Sequence, residues 1–284
     1  MASQRLRRTV TTYPVASFFV LAYAFSWVAW LPVVLGVGEQ FRTLSIVVGS
    51  FGPAIAGAVV TWLDGASVGV WARRIVRWRV APRWYLAALV LPLFVVGVAS
   101  VGIGVLGYGV DLSVLRGRGP AVLASFLTVA LVGGGNEEPG WRGFALPRLQ
   151  NRYAPVSATL LLGVVWACWH LPLLPVDTSI HGVAWLLEQG PTVALRVLNI
   201  VGFAFLLTWM YNRTESVLLA LLTHAGINTA NSTLVPLPLA ALGGDAYDAV
   251  LLTVTVAVWL VAIMLVVHTR GRLGYDEAGP SAPR

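Results

Sequence analysis

Residues 248–268 read DAVLLTVTVAVWLVAIMLVVH, and between Asp248 and His268 no side chain is ionisable. An unbroken apolar run of about 20 residues matches the roughly 30 Å hydrocarbon core of a bilayer, whereas a surface helix of a soluble protein carries a polar face. Similar runs recur at approximately 14–36, 44–63, 84–109, 120–147, 155–172, 193–211 and 216–232. Composition agrees: 57% of the 284 residues are apolar and only 11% charged, against about a quarter charged in soluble domains. The expected fold is an all-α polytopic membrane protein, a bundle of about eight transmembrane helices around an intramembrane polar cavity. No repeat or long linker divides residues 1–284, so a single integral domain is expected.

Every one of the 19 basic residues is arginine. With the N-terminus cytoplasmic and eight spans, all of them except Arg42, Arg116, Arg118 and Arg196 fall on the cytoplasmic side, which is the bias that orients membrane proteins. The expectation is therefore a multi-pass protein of the cell membrane with both termini inside. The sequence pI near 10.2 then reflects arginine at membrane ends, and no nucleic-acid partner is expected. Cys168 is alone, so no disulfide framework forms within one chain. The first span follows Arg5, Arg7 and Arg8, but its apolar stretch is longer than a signal-peptide core, and it reads as a retained helix. Trp71, Ile75 and Trp78 recur at helical spacing among Arg73, Arg74, Arg77 and Arg79, which suits an amphipathic helix on the inner membrane surface. The polar tail from Gly271 to Arg284 is expected to be mobile.

Inside the spans a few polar side chains need a reason, because an acidic group near the middle of a span costs roughly 2.5–3.5 kcal/mol on insertion scales. Residues 133–142 read GGGNEEPGWR. Glu138 and Arg142 are four apart, so if helix continues past Pro139 the guanidinium can grip the carboxylate with paired hydrogen bonds. Glu137 points about 100° away without such a local partner and is the candidate general base. Three glycines and a Pro-Gly pair should loosen the helix here, which at membrane depth is tolerated where backbone lines a cavity. His170 follows Trp166 by four residues, and Asn228 follows His224 by four, so each pair shares a face. Together these groups supply a base, a water-positioning group and donors for a developing oxyanion, the parts amide hydrolysis needs.

The motifs resemble those of the CPBP family, the CAAX prenyl protease and bacteriocin-processing (Abi) group of intramembrane endopeptidases. That family carries Glu-Glu-x-x-x-Arg, Phe-x-x-x-His and His-x-x-x-Asn motifs in this order. Glu137-Glu138 with Arg142 matches the first, Trp166 with His170 the second with Trp in place of Phe, and His224 with Asn228 the third; the likeness covers roughly 120–232. The resemblance implies that Glu137 with His170 activates water, that His224 and Asn228 form the oxyanion hole, and that Glu138 and Arg142 support Glu137. It implies a peptide or membrane-protein substrate, prenylated where it is of CAAX type, and the lipid bilayer as the only other partner. The Glu/His/His set also suits zinc; the paired Glu and the Asn favour a glutamate mechanism without cofactor. The rival readings are a proton-coupled transporter and a non-catalytic scaffold or immunity protein. Counting ~1.5 Å per residue from the cytoplasmic ends puts His224 about 12 Å deep, Glu137 about 15 Å and His170 above 20 Å, a discordance the sequence leaves standing.

Overall fold

The computed structural model describes residues 2–174, 184, 187–242 and 246–275. Among these the chain is helical, with α1 (Ala2–Thr12), α2 (Pro14–Val34), α3 (Arg42–Ser50), α4 (Gly52–Leu63), α5 (Val68–Ile75), α6 (Pro82–Val105) and α7 (Gly119–Val132) in its first half. There follow α8 (Glu138–Gly140), α9 (Leu146–Gln150), α10 (Pro155–Trp169), α11 (Gly190–Thr214), α12 (Val217–Thr233), α13 (Leu239–Leu242) and α14 (Tyr247–His268). Proline stands at the first or second position of α2, α4, α6, α7, α10 and α11, where its missing N–H is not needed and its fixed φ suits the helix.

The protein is a multi-pass membrane protein. Six helical stretches are long and apolar enough to cross a bilayer: Pro14–Val34, Arg42–Leu63, Pro82–Val105, Gly119–Gln150, Gly190–Thr214 and Tyr247–His268. The other two expected spans, α10 with 15 residues and α12 with 17, are helical but shorter. Apolar side chains point outward along the long helices, among them Leu86 (60% exposed), Val101 (70%), Val105 (82%) and Val267 (72%). That inversion suits a surface solvated by lipid.

Helix α10 packs on α11, α11 on α14, α14 on α6, α12 on both α6 and α7, and α2 on α3 and α4. Two connections set the depth of α12. Glu215, in the left-handed region at φ 49, and Ser216 turn the chain directly from α11 into α12. Ser216 is fully buried, accepts from the Leu219 N–H and donates to the Arg77 carbonyl at 2.6 Å. At the other end Arg118 donates to the carbonyls of Thr233 (2.8 Å), Val235 (3.1 Å) and Leu237 (2.5 Å), placing a cation where the helix dipole is negative.

Two sequence expectations change. The amphipathic helix is only α5, capped by Ser67. Trp71 packs against Gly57 and Gly143, so this helix docks on the bundle, while Trp78 lies beyond it and is 62% exposed. The C-terminal tail is anchored at its start: Leu273 is fully buried and its carbonyl accepts from the Asn212 amide at 3.1 Å. Positions 276–284 of that tail lie outside the described residues.

Candidate active site

The fourth span is not one regular helix. It stops at Val132, Gly134 takes φ +145, a 3₁₀ turn spans Gly135–Glu137, and after α8 a π turn spans Trp141–Ala145. A side chain at Gly134 would be strained, and its Cβ would lie 2.7 Å from the His224 Nε2. Asn136 stabilises the break: its Oδ1 accepts from the Gly134 N–H at 3.0 Å and its Nδ2 donates to the Ser50 Oγ at 2.8 Å. Ser50 Oγ is in turn within 2.7 Å of the Val47 carbonyl and 3.1 Å of the Val132 carbonyl. Because Ser50 ends α3, where the second span also breaks, one polar network joins two interrupted spans. Gly140 lets α4 approach, since a Cβ there would stand 2.3 Å from the Pro53 carbonyl oxygen.

The two glutamates are buried in different company. Glu138 and Arg142 are both fully buried, and Arg142 donates one hydrogen bond, NH1 to Oε1, at 3.0 Å. The same Oε1 lies 2.7 Å from the His224 Nδ1. The sequence predicted a two-pronged grip; the structure has a single prong, because the guanidinium plane turns toward Trp166, its central carbon 4.5 Å from the ring centroid, a cation–π contact. Glu137, read from sequence as lacking a local partner, has two: its Oε2 accepts from Trp166 Nε1 at 2.7 Å and from Trp141 Nε1 at 3.3 Å. Trp141 stands four residues after Glu137, so the helical spacing that flagged Arg142 carried this signal too.

His170 caps the end of α10 half-buried, and its Nδ1 lies 2.9 Å from the Trp166 carbonyl. A carbonyl only accepts, so Nδ1 carries the proton there and the neutral ring presents a lone pair at Nε2. That Nε2 is 3.9 Å from Glu137 Oε1. His224 sits one ring contact from both Trp166 (5.4 Å between centroids) and Phe203 (5.1 Å). Asn228, one turn along α12, is half-buried, and among the described residues its side chain makes no hydrogen bond. The structure thus brings Glu137, Glu138, Arg142, His170 and His224 together and leaves Asn228 on the same helix as His224.

Helical backbone continues from Glu137 to Gln150, and the Glu137–Gln150 and Pro155–His170 segments are each about 20 Å long at ~1.5 Å per residue. Helix α12 follows Ser216, which is buried within the protein against the Arg77 carbonyl, and its His224 meets Glu138 directly. Among the described residues no group of three or more His, Cys, Asp or Glu side chains is arranged to hold a metal ion.

This arrangement falls within a recognisable stretch: residues 119–230 match the family model described as type II CAAX prenyl endopeptidase, Rce1-like. That match covers 112 of the 284 residues. The matched stretch includes all six residues named from the motifs. Over 94 residues the chain is 36% identical to CAAX prenyl protease 2 of Methanococcus maripaludis, an alignment covering 32% of this chain and 34% of that relative. The chain thus matches about a third of the length of that curated relative.

Proposed function

We propose that the protein is an intramembrane endopeptidase of CAAX-protease type, in which a glutamate and not a metal activates water. The observation that carries this reading is the orientation of the Glu137 carboxylate. Two indole N–H groups hold Oε2, which leaves Oε1 facing the His170 Nε2 lone pair at 3.9 Å. Two acceptors cannot bond each other directly, and at that separation they suit a water donating one hydrogen to each. Glu137 then takes the proton as that oxygen attacks a peptide carbonyl. His224, its Nδ1 on Glu138, turns Nε2 toward the developing oxyanion as one donor, and the Asn228 amide is the second. Glu138 and Arg142 hold His224 in place from beneath.

The substrate is a peptide or membrane-protein segment, a prenylated C-terminal tail where the host makes one. Both termini face the cytoplasm, in keeping with the arginine distribution. The test is cleavage of a farnesylated peptide ending in a C-a-a-X sequence by the purified chain in lipid vesicles. Cleavage that persists under strong chelation is expected; no cleavage, or loss on chelation with recovery by zinc, would contradict the proposal.

A further inference from the structure

Asn231, three residues beyond Asn228, has a buried side-chain carbonyl oxygen with no hydrogen-bond partner. Buried polar groups are normally satisfied, and an amide oxygen only accepts, so this atom calls for a donor from outside the chain. Asn231 is also seven residues after His224, about 20° from it around the helix, so His224, Asn228 and Asn231 stand in one line along α12. Other faces of the helix are taken: Gly226 lies against Pro92 of α6, and the Ser125 hydroxyl of α7 is 3.4 Å from those of both Thr229 and Ser232. The line itself faces the site, where His224 meets Glu138.

The line is covered at its ends and open between them. His224 and Ile227 are each 2% exposed and Val235, just past the helix, is 0% exposed, whereas Asn228 and Asn231 are only half-buried. These covered neighbours keep the opening within the protein, so the two amides line a recess that leads away from His224. A peptide laid along it in extended form turns its N–H and C=O groups to the same side at every second residue, about 7 Å apart. The level midway between His224 and Asn228, where the proposed oxyanion is held, is roughly 7–8 Å from Asn231 along the helix axis. The two spacings agree.

We infer that the Asn231 side-chain carbonyl accepts the backbone N–H of the substrate residue two positions from the one whose carbonyl is cleaved, so that the substrate binds extended alongside α12. The inference rests on the endopeptidase reading. It makes Asn231 a substrate-binding residue and selects unwound chain, because N–H groups within a helical segment are already bonded internally. It also excludes proline from that substrate position, since proline has no N–H.

The test replaces each backbone N–H of a farnesylated C-a-a-X peptide in turn by an ester oxygen, which removes the donor and keeps the chain. Equilibrium binding is measured to vesicle-reconstituted Glu137→Gln protein, so no turnover is required, and the cleaved bond is located with wild type. One ester, two residues from the cleaved carbonyl, is expected to weaken binding about tenfold. Adding Asn231→Leu should abolish that penalty, and adding Asn231→Asp, which retains an acceptor, should preserve it. Absence of binding, no penalty at that spacing, or a penalty that persists in Asn231→Leu would overturn the inference and leave Asn231 a residue satisfied by water. Asn231→Ala serves if Asn231→Leu fails to fold. An Asn231-dependent penalty in a protein whose wild type cleaves no peptide would instead sink the endopeptidase reading and leave the contact standing.

Discussion

The indole N–H of Trp166 donates to the Oε2 of Glu137 at 2.7 Å while the Trp166 carbonyl accepts from His170 Nδ1 at 2.9 Å. One residue therefore orients both members of the proposed water-activating pair, through its side chain and its backbone. Phe at this position, as in the family motif, keeps the ring and the backbone contact and loses only the indole bond. Trp166→Phe is expected to lower kcat about tenfold with little change in KM, consistent with about 1.4 kcal/mol of lost positioning. Steady-state kinetics on the farnesylated peptide check this, and an unchanged kcat would mean that the indole bond does not orient the base.

Arg142 is fully buried and is the cation beside Glu138. Removing one partner of such a pair leaves an uncompensated charge, which costs about 3–5 kcal/mol. Arg142→Met should therefore destabilise the folded protein far more than any exposed arginine change, for example at Arg77, whose contact with Glu215 is on the surface and worth about 1 kcal/mol or less. Thermal unfolding in detergent compares the two; equal losses would show that the buried pair is not structural.

Gly134 combines φ +145 with its close approach to His224. Ala there must adopt a conformation costing about 1–3 kcal/mol and displace the imidazole. Gly134→Ala should lose activity and melt earlier, whereas Gly97→Ala, with open space around its Cβ, should do neither. Activity at the wild-type level in Gly134→Ala would contradict the tight fit between the helix break and His224.

Much of this was legible in the sequence, and the parts that were not have physical causes. The span reading rested on length: it placed α12 to within one residue at each end, whereas α10 stops at Trp169, short of the expected 172, where His170 caps it within the protein. The i to i+4 rule found Glu138 with Arg142 and His224 with Asn228. It would have found Trp141 for Glu137 had tryptophan been read as a donor and not only as an apolar ring. Asn136 with Ser50 was out of reach: the residues are 86 apart in sequence, and neither is unusual where it stands. The two-pronged Arg142 grip failed because spacing cannot foresee that Trp166 would turn the guanidinium.

Asn228 can donate to an oxyanion but has no acid–base chemistry, so its removal should act on the transition state alone. Asn228→Ala is expected to lower kcat about 10²–10³-fold, roughly 3–4 kcal/mol, with KM little changed. An effect confined to KM would assign the residue to substrate binding.

Glu137 as the base is tested by the single-turnover cleavage rate of the farnesylated peptide by Glu137→Gln protein reconstituted beside wild type at equal folded fraction. Glutamine keeps the shape and can still accept from Trp166, while its amide cannot take the proton from water. A rate at least about 10²-fold below wild type is expected, with peptide binding retained; cleavage at the wild-type rate by this variant would show that another group takes the proton.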